Sequence, residues 1–235
     1  MNMSEQARFG GGQLITAVAL VGFSVPLLVA SLLDPTYGNL GDARLDIADV
    51  GAHPRAFLAS TVLVLVSTIA LLPAAAGLWR IGRARRRRLT GVGAGLVAIG
   101  SLGHAALVTF YGFLYEMPAG DRDEMAGLLN RVNEGLVLGL FFPMLVALAV
   151  GLIVLTLALW RGGIAPLWCF VAACVAFVVD FFVPGTVPGA NIIIYGLVVL
   201  TTGWLSIVVL RMPASAWDGT ETTAYEPSSH AAMSS

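Results

Sequence analysis

The chain has 235 residues, is 57% hydrophobic and 11% charged, and carries a formal net charge of -1. Soluble domains run nearer roughly 45–50% apolar and about 25% charged, so this composition excludes an ordinary water-soluble domain and calls for a membrane. All thirteen basic residues are Arg, which excludes a lysine Schiff base and with it a retinal pigment.

Six apolar runs, near 13–33, 56–79, 89–115, 135–160, 164–183 and 191–210, each approach the roughly 20 helical residues needed to cross a hydrocarbon core of about 30 Å. They lack the dyad alternation of a barrel, so the expected fold is all-α, a polytopic bundle of six transmembrane helices. Residues 1–12 form a short head, 13–211 the membrane domain and 212–235 a tail of Pro, Ser, Thr, Ala and acids that is expected to be disordered. The first run is longer than a signal-peptide core; Val29-Ala30-Ser31 is a passable cleavage site, but an uncleaved anchor fits the length better.

Charge sets the orientation. Arg8, the six Arg between Arg80 and Arg88, Arg161 and Arg211 put nine Arg on one side; Arg44, Arg55, Arg122 and Arg131 put four on the other, together with most of the acids. The positive-inside rule makes the first side cytoplasmic, with both termini there, in a bacterial plasma membrane. Arg80, Arg83, Arg85, Arg86, Arg87 and Arg88 also suit anionic lipid headgroups. No nucleic-acid partner is indicated.

On the outer side, a short helix is expected after Asp42 in the long loop between the first two runs. Asp121-Arg122-Asp123-Glu124 is a capping pattern followed by Met125, Leu128, Leu129 and Val132 at i, i+3, i+4 and i+7, which predicts an amphipathic helix over 122–133. The connection 183–190 is short enough to make the fifth and sixth runs antiparallel neighbours. Gly135, Gly139, Pro143, Ala147 and Gly151 recur at four-residue steps, and Gly91 and Gly95 form a second small pair. Small residues let helices approach closely, so these seams serve the bundle's own core or, alternatively, a homo-oligomer or protein partner. Pro26, Pro73 and Pro143 are expected to bend their helices.

Chemistry is sparse. No Gly-x-Ser-x-Gly, His-Glu-x-x-His or Cys-x-x-Cys occurs, so no enzyme class, metal or cofactor is indicated. Cys169 and Cys174, five residues apart, point about 140° away from each other on a helix and cannot pair. A bis-histidine haem would need His104 with His53, which is too shallow. His104 and Asp180 are the ionisable residues well inside the runs, at about 22 and 24 Å from the cytoplasmic boundary, and intramembrane ionisable groups are functional candidates. With Tyr111 beside His104, and Asn191 and Tyr195 on the sixth run, they define a candidate polar site in the outer half. The alternative is that His104 simply hydrogen-bonds a carbonyl or Tyr while Asp180 sits near the interface.

His53-Pro54-Arg55, the Arg-rich loop, Ser101-Leu102-Gly103-His104-Ala105-Ala106 and Arg161-Gly162-Gly163-Ile164-Ala165-Pro166-Leu167-Trp168 together resemble a broad, mostly actinobacterial group of six-helix membrane proteins. The likeness covers 13–211 and implies the architecture; it carries no activity over. The functional expectation is small-molecule, lipid or proton-linked binding or transport through a polar outer-half cavity, or alternatively a non-catalytic structural or interaction subunit of a membrane complex.

Overall fold

The computed structural model describes residues 10–39, 42–182, 187 and 189–218. Most of the expected head, most of the 183–190 connection and the tail from 219, including His230, lie outside the described residues. Every regular element among them is helical: α1 (Gly11–Leu33), α2 (Ala43–Ala52), α3 (Pro54–Tyr111), α4 (Arg122–Glu134), α5 (Leu136–Arg161), α6 (Leu167–Phe182), α7 (Ala190–Arg211) and α8 (Ala214–Asp218), with two short 3-10 turns between α3 and α4. Four helical stretches are long and apolar enough to cross a membrane, and α6 is a shorter apolar helix.

The 58 residues of α3 do not form one rod. Arg86 has φ -142° and ψ 55°, outside the helical region, and contacts pair up around it: Thr68 with His104, and Gly82 with Thr90. Each pair is centred on residue 86, so the chain doubles back there into a first arm (54–85) and a second arm (87–111). The sequence suggests a loop of Arg separating two runs. Instead both arms stay helical to the tip, because exposed Arg is a good helix former and one non-helical residue suffices for the reversal.

The remaining neighbours follow from named contacts. Ser67 Oγ donates to Phe23 O, and Thr16 covers Gly77, which packs the first arm antiparallel to α1. Gly93, Gly100 and Gly103 of the second arm lie against Leu155, Leu148 and Met144 of α5. Gln13 Nε2 donates to Met212 O at 2.8 Å, Thr202 Oγ1 to Ser24 Oγ at 2.7 Å and Asn191 Nδ2 to Ser31 O at 3.0 Å, fixing α7 antiparallel to α1. With α6 between α5 and α7, the order α1, first arm, second arm, α5, α6, α7 closes into a ring.

The apolar pattern is that of a protein solvated by lipid. Along α1 the large aliphatics Leu14, Val18, Val21, Val25, Val29 and Leu32 are exposed, while Thr16, Ala17, Ser24 and Ser31 face the interior. In water this arrangement would be inverted; in lipid, small and hydroxyl residues bring helices together and aliphatics meet the acyl chains.

Three expectations need correction. The seam on α5 is Met144, Leu148, Gly151 and Leu155, so the four-residue series meets it at Gly151 but not at Gly139. A step of four advances about 400°, so the series drifts off the contact face; a methyl added to Gly139 would meet nothing within 4 Å, and Gly135 ends α4. The seam glycines of the second arm are likewise Gly93, Gly100 and Gly103, while Gly95 stands in open space. Finally, 212–218 is not part of a solvated tail. Trp217 is 5% exposed, lies against Gly12 and stacks on the Arg80 guanidinium at 5.3 Å; composition alone does not register one anchoring indole in a polar stretch.

Candidate functional site

The two ends of the ring differ in charge. At one end, Arg85 Nη1 donates to Gly162 O, and Arg85, Arg86, Arg87, Arg88 and Arg161 line a common concavity. The other end carries α2, α4 and most of the acids. There Asp42 caps α2 by accepting from the Arg44 and Leu45 amides, and Asp121 caps α4 by accepting from Asp123 and Glu124 at 3.0 Å. Both helices are legible in the sequence because a cap followed by a helical apolar stripe is a local signal. They pair through Ala43, Ile47 and Val50 of α2 and Ala126 and Leu129 of α4. The exposed Arg44–Asp123 ion pair at 2.9 Å adds little.

The structure distributes the five residues of the expected polar site over four settings. His104 belongs to the hairpin. Thr68 Oγ1 lies 2.8 Å from Val64 O and 3.1 Å from His104 Nδ1, so a hydrogen bond joins the hydroxyl and the imidazole across the hairpin, its direction set by the ring's tautomer. This is the hydrogen-bonded alternative, with Thr in place of a carbonyl or Tyr, and the structure does not bring His104 to Asp180. Tyr111 packs at the end of the second arm with Phe110 and the α2–α4 cluster. Asn191 ties α7 to Ser31. Asp180 and Tyr195 do approach each other, within electrostatic reach of Tyr37 on the turn after α1.

Sequence reading missed Tyr37, Asn39 and Thr36, which organise that turn. Asp34 Oδ1 accepts from the Thr36 hydroxyl at 2.8 Å, and Asn39 Nδ2 donates to both Asp46 and Asp49 at 3.0 Å. Burial, and then the Asp180 charge, push the Tyr37 hydroxyl above its ordinary pKa. Burial also raises Asp46, with Asp34, Asp42 and Asp49 adding to it and Asn39 opposing it. Among the described residues no three His, Cys, Asp or Glu converge as a metal-binding set.

Two hollows bear on function. The centre of the ring contains a cavity of about 40 Å³, walled by groups such as Phe23, Leu71, Leu155 and Phe177, with the hydroxyls of Thr156, Thr201 and Thr202 as its polar contribution. It has room for water and nothing larger. At the acidic end a cavity of about 500 Å³ opens between the end of the second arm, the turn through Met117 and the underside of α4. Phe110, Tyr111, Phe113 and Leu114 form one wall, Met125, Leu128, Leu129 and Val132 the other, and Glu116 is its carboxylate. The α4 wall is the very stripe the sequence displays; that the stripe roofs a hollow instead of closing on the bundle depends on the path of 112–121, which has no periodic signal.

No family model, curated protein or solved structure matches this chain.

Proposed function

We propose that this is a six-crossing plasma-membrane protein, its arginine end cytoplasmic, which binds an amphiphilic molecule at its outer end in the cavity under α4. The observation that carries this reading is the cavity itself: about 500 Å³, within the roughly 300–1,000 Å³ range of small-molecule sites, largely apolar with Glu116 and the Tyr111 hydroxyl as its polar groups; the proposed orientation sets it at the outer leaflet. Phe110, Tyr111, Met117 and Met125 offer an adaptable apolar wall, which suits an acyl or other flexible hydrocarbon chain. Glu116 and the neighbouring Asp121, Asp123 and Glu124 favour a neutral or cationic head over an anionic one.

Binding is better supported than transport. A route for a polar solute needs polar groups or water along its length, and the centre of the ring is a small, apolar cavity. The six crossings are supported by α6, which starts beside the α5–α6 turn that Arg85 of the hairpin tip holds through Gly162 O and ends next to α7 at the opposite end.

The test uses purified full-length protein in detergent and a pyrene-labelled single-chain amine. Wild type is expected to bind the probe saturably. Leu128→Trp fills the cavity from the half-exposed face of α4 and should weaken binding at least tenfold, and Glu116→Gln should weaken the amine more than an uncharged pyrene-labelled alcohol. Equal binding by wild type and Leu128→Trp overturns the proposal.

A further inference from the structure

The concavity at the opposite end has a different chemistry. Arg85, Arg86, Arg87, Arg88, Leu89 and Arg161 line about 380 Å³ of open space. Four consecutive residues on an unbroken helix would point about 100° apart and splay around its axis. Here the non-helical Arg86 divides them between the end of one arm and the start of the next, so that they share one space. Arg161 joins them from the end of α5, because Arg85 Nη1 donates to Gly162 O and so ties the hairpin tip to the α5–α6 turn. Gly163 sits at φ +66°, and a methyl there would lie 3.4 Å from Arg85 Nη1; glycine at that place permits both the turn and the close approach. None of Arg85, Arg86, Arg87, Arg88 and Arg161 has a carboxylate partner among the described residues, where the one ion pair is Arg44–Asp123 at the other end.

We infer that this cluster is a phosphate-binding site, its ligand the phosphate of an anionic phospholipid headgroup or a free phosphate species. Planar guanidinium groups bind phosphate oxygens in pairs, and five of them around one concavity, with no acid among its described lining residues, leave their charge to be met by an anion. Leu89 in the rim and the apolar second arm that follows place the site at the level of a headgroup.

Full-length protein in neutral detergent is titrated at fixed ionic strength with phosphatidylglycerol, phosphatidylcholine or inorganic phosphate, and bound species are counted by native mass spectrometry while the unfolding temperature is followed. Phosphatidylglycerol should be retained and raise the unfolding temperature, and phosphatidylcholine should not. If inorganic phosphate does the same as phosphatidylglycerol, the site stands and its ligand is a free phosphate species. Arg86→Gln, Arg87→Gln and Arg161→Gln combined should weaken binding roughly 100-fold, three charges at about 1 kcal/mol each; Arg85 is kept because it holds the turn. The control removes Arg55, Arg122 and Arg131 from the other end and should bind as wild type. The Lys version of the triple variant, which keeps the charge, guards against a folding defect and should recover part of the affinity. The proposal fails if neither anion binds better than phosphatidylcholine, or if the control loses as much as the triple variant.

Discussion

Gly100 and Gly139 look alike in the sequence and are opposites in the fold. A methyl on Gly100 would overlap the Leu148 amide nitrogen, which is backbone and cannot swing aside, whereas one on Gly139 meets nothing within 4 Å. Gly100→Ala should therefore lower stability in detergent by about 1–3 kcal/mol, the range for overpacking, while Gly139→Ala should be neutral or slightly stabilising; thermal unfolding of the two variants checks this. The sequence shows that glycines line some seam, but their angular drift decides which ones, and the partner helix is not visible from one strand of text. A second residue-scale expectation concerns Asp46, whose pKa is raised by burial and by Asp34, Asp42 and Asp49. In the window between its ordinary value of 3.8 and its raised folded value, the folded state holds the proton more tightly than the unfolded one. Stability contributed by Asp46 is thus greatest at the acid side and falls as pH rises through that window. Comparing unfolding temperature against pH for wild type and Asp46→Asn should show the falling component only in wild type.

At the scale of elements, α4 is legible to within a residue or two and α2 at its start after Asp42, because caps and apolar stripes are local, and the apolar runs are legible because lipid demands length. The hairpin is legible as two spans but not as two arms meeting at a single residue, and Trp217 is not legible at all. Gly82 and Thr90 give a direct check of the reversal. Eight residues along one continuous helix are about 12 Å apart, beyond the roughly 7 Å limit for Cα atoms joined by a disulfide. In the hairpin the Thr90 side chain instead covers Gly82. With Cys169 and Cys174 replaced by Ala, the pair Gly82→Cys and Thr90→Cys should cross-link on oxidation, and Gly82→Cys with Leu89→Cys should serve as a weaker neighbouring control. Absence of the first cross-link would mean an unbroken α3. The indole anchor has its own check: Trp217→Ala removes the contact with Gly12 and Arg80 and should cost about 3–5 kcal/mol, as large-to-small core changes of this type do.

For the whole molecule, the directions of the helices constrain one another. Unbroken, α3 would be about 87 Å long, nearly three times a hydrocarbon core of about 30 Å, so the reversal at Arg86 is what allows a membrane to hold it. The second arm then runs away from the arginine end, and α5, antiparallel to it through Gly93–Leu155 and Gly103–Met144, returns there. Because Asn191 bonds Ser31 and Gln13 bonds Met212, α7 begins at the acidic end and finishes at the arginine end. Between the end of α5 and the start of α7, α6 has 16 residues, which at about 24 Å fall short of a typical span; the proposed six-crossing arrangement has them traverse the bundle. The membrane beside α6 would then be locally thin or the flanking turn drawn into it, at a modest cost for a few Å of mismatch. A crossing α6 makes six spans and returns both ends of the described chain to the arginine side. Intact cells carrying single cysteines in a background lacking Cys169 and Cys174 decide this with a membrane-impermeant thiol reagent. Asp123→Cys and the exposed Val187→Cys should be labelled from outside, and Arg87→Cys only after permeabilisation. Labelling of Asp123→Cys without Val187→Cys would remove the α6 crossing, whereas labelling of Arg87→Cys alone would invert the orientation that nine Arg against four implies.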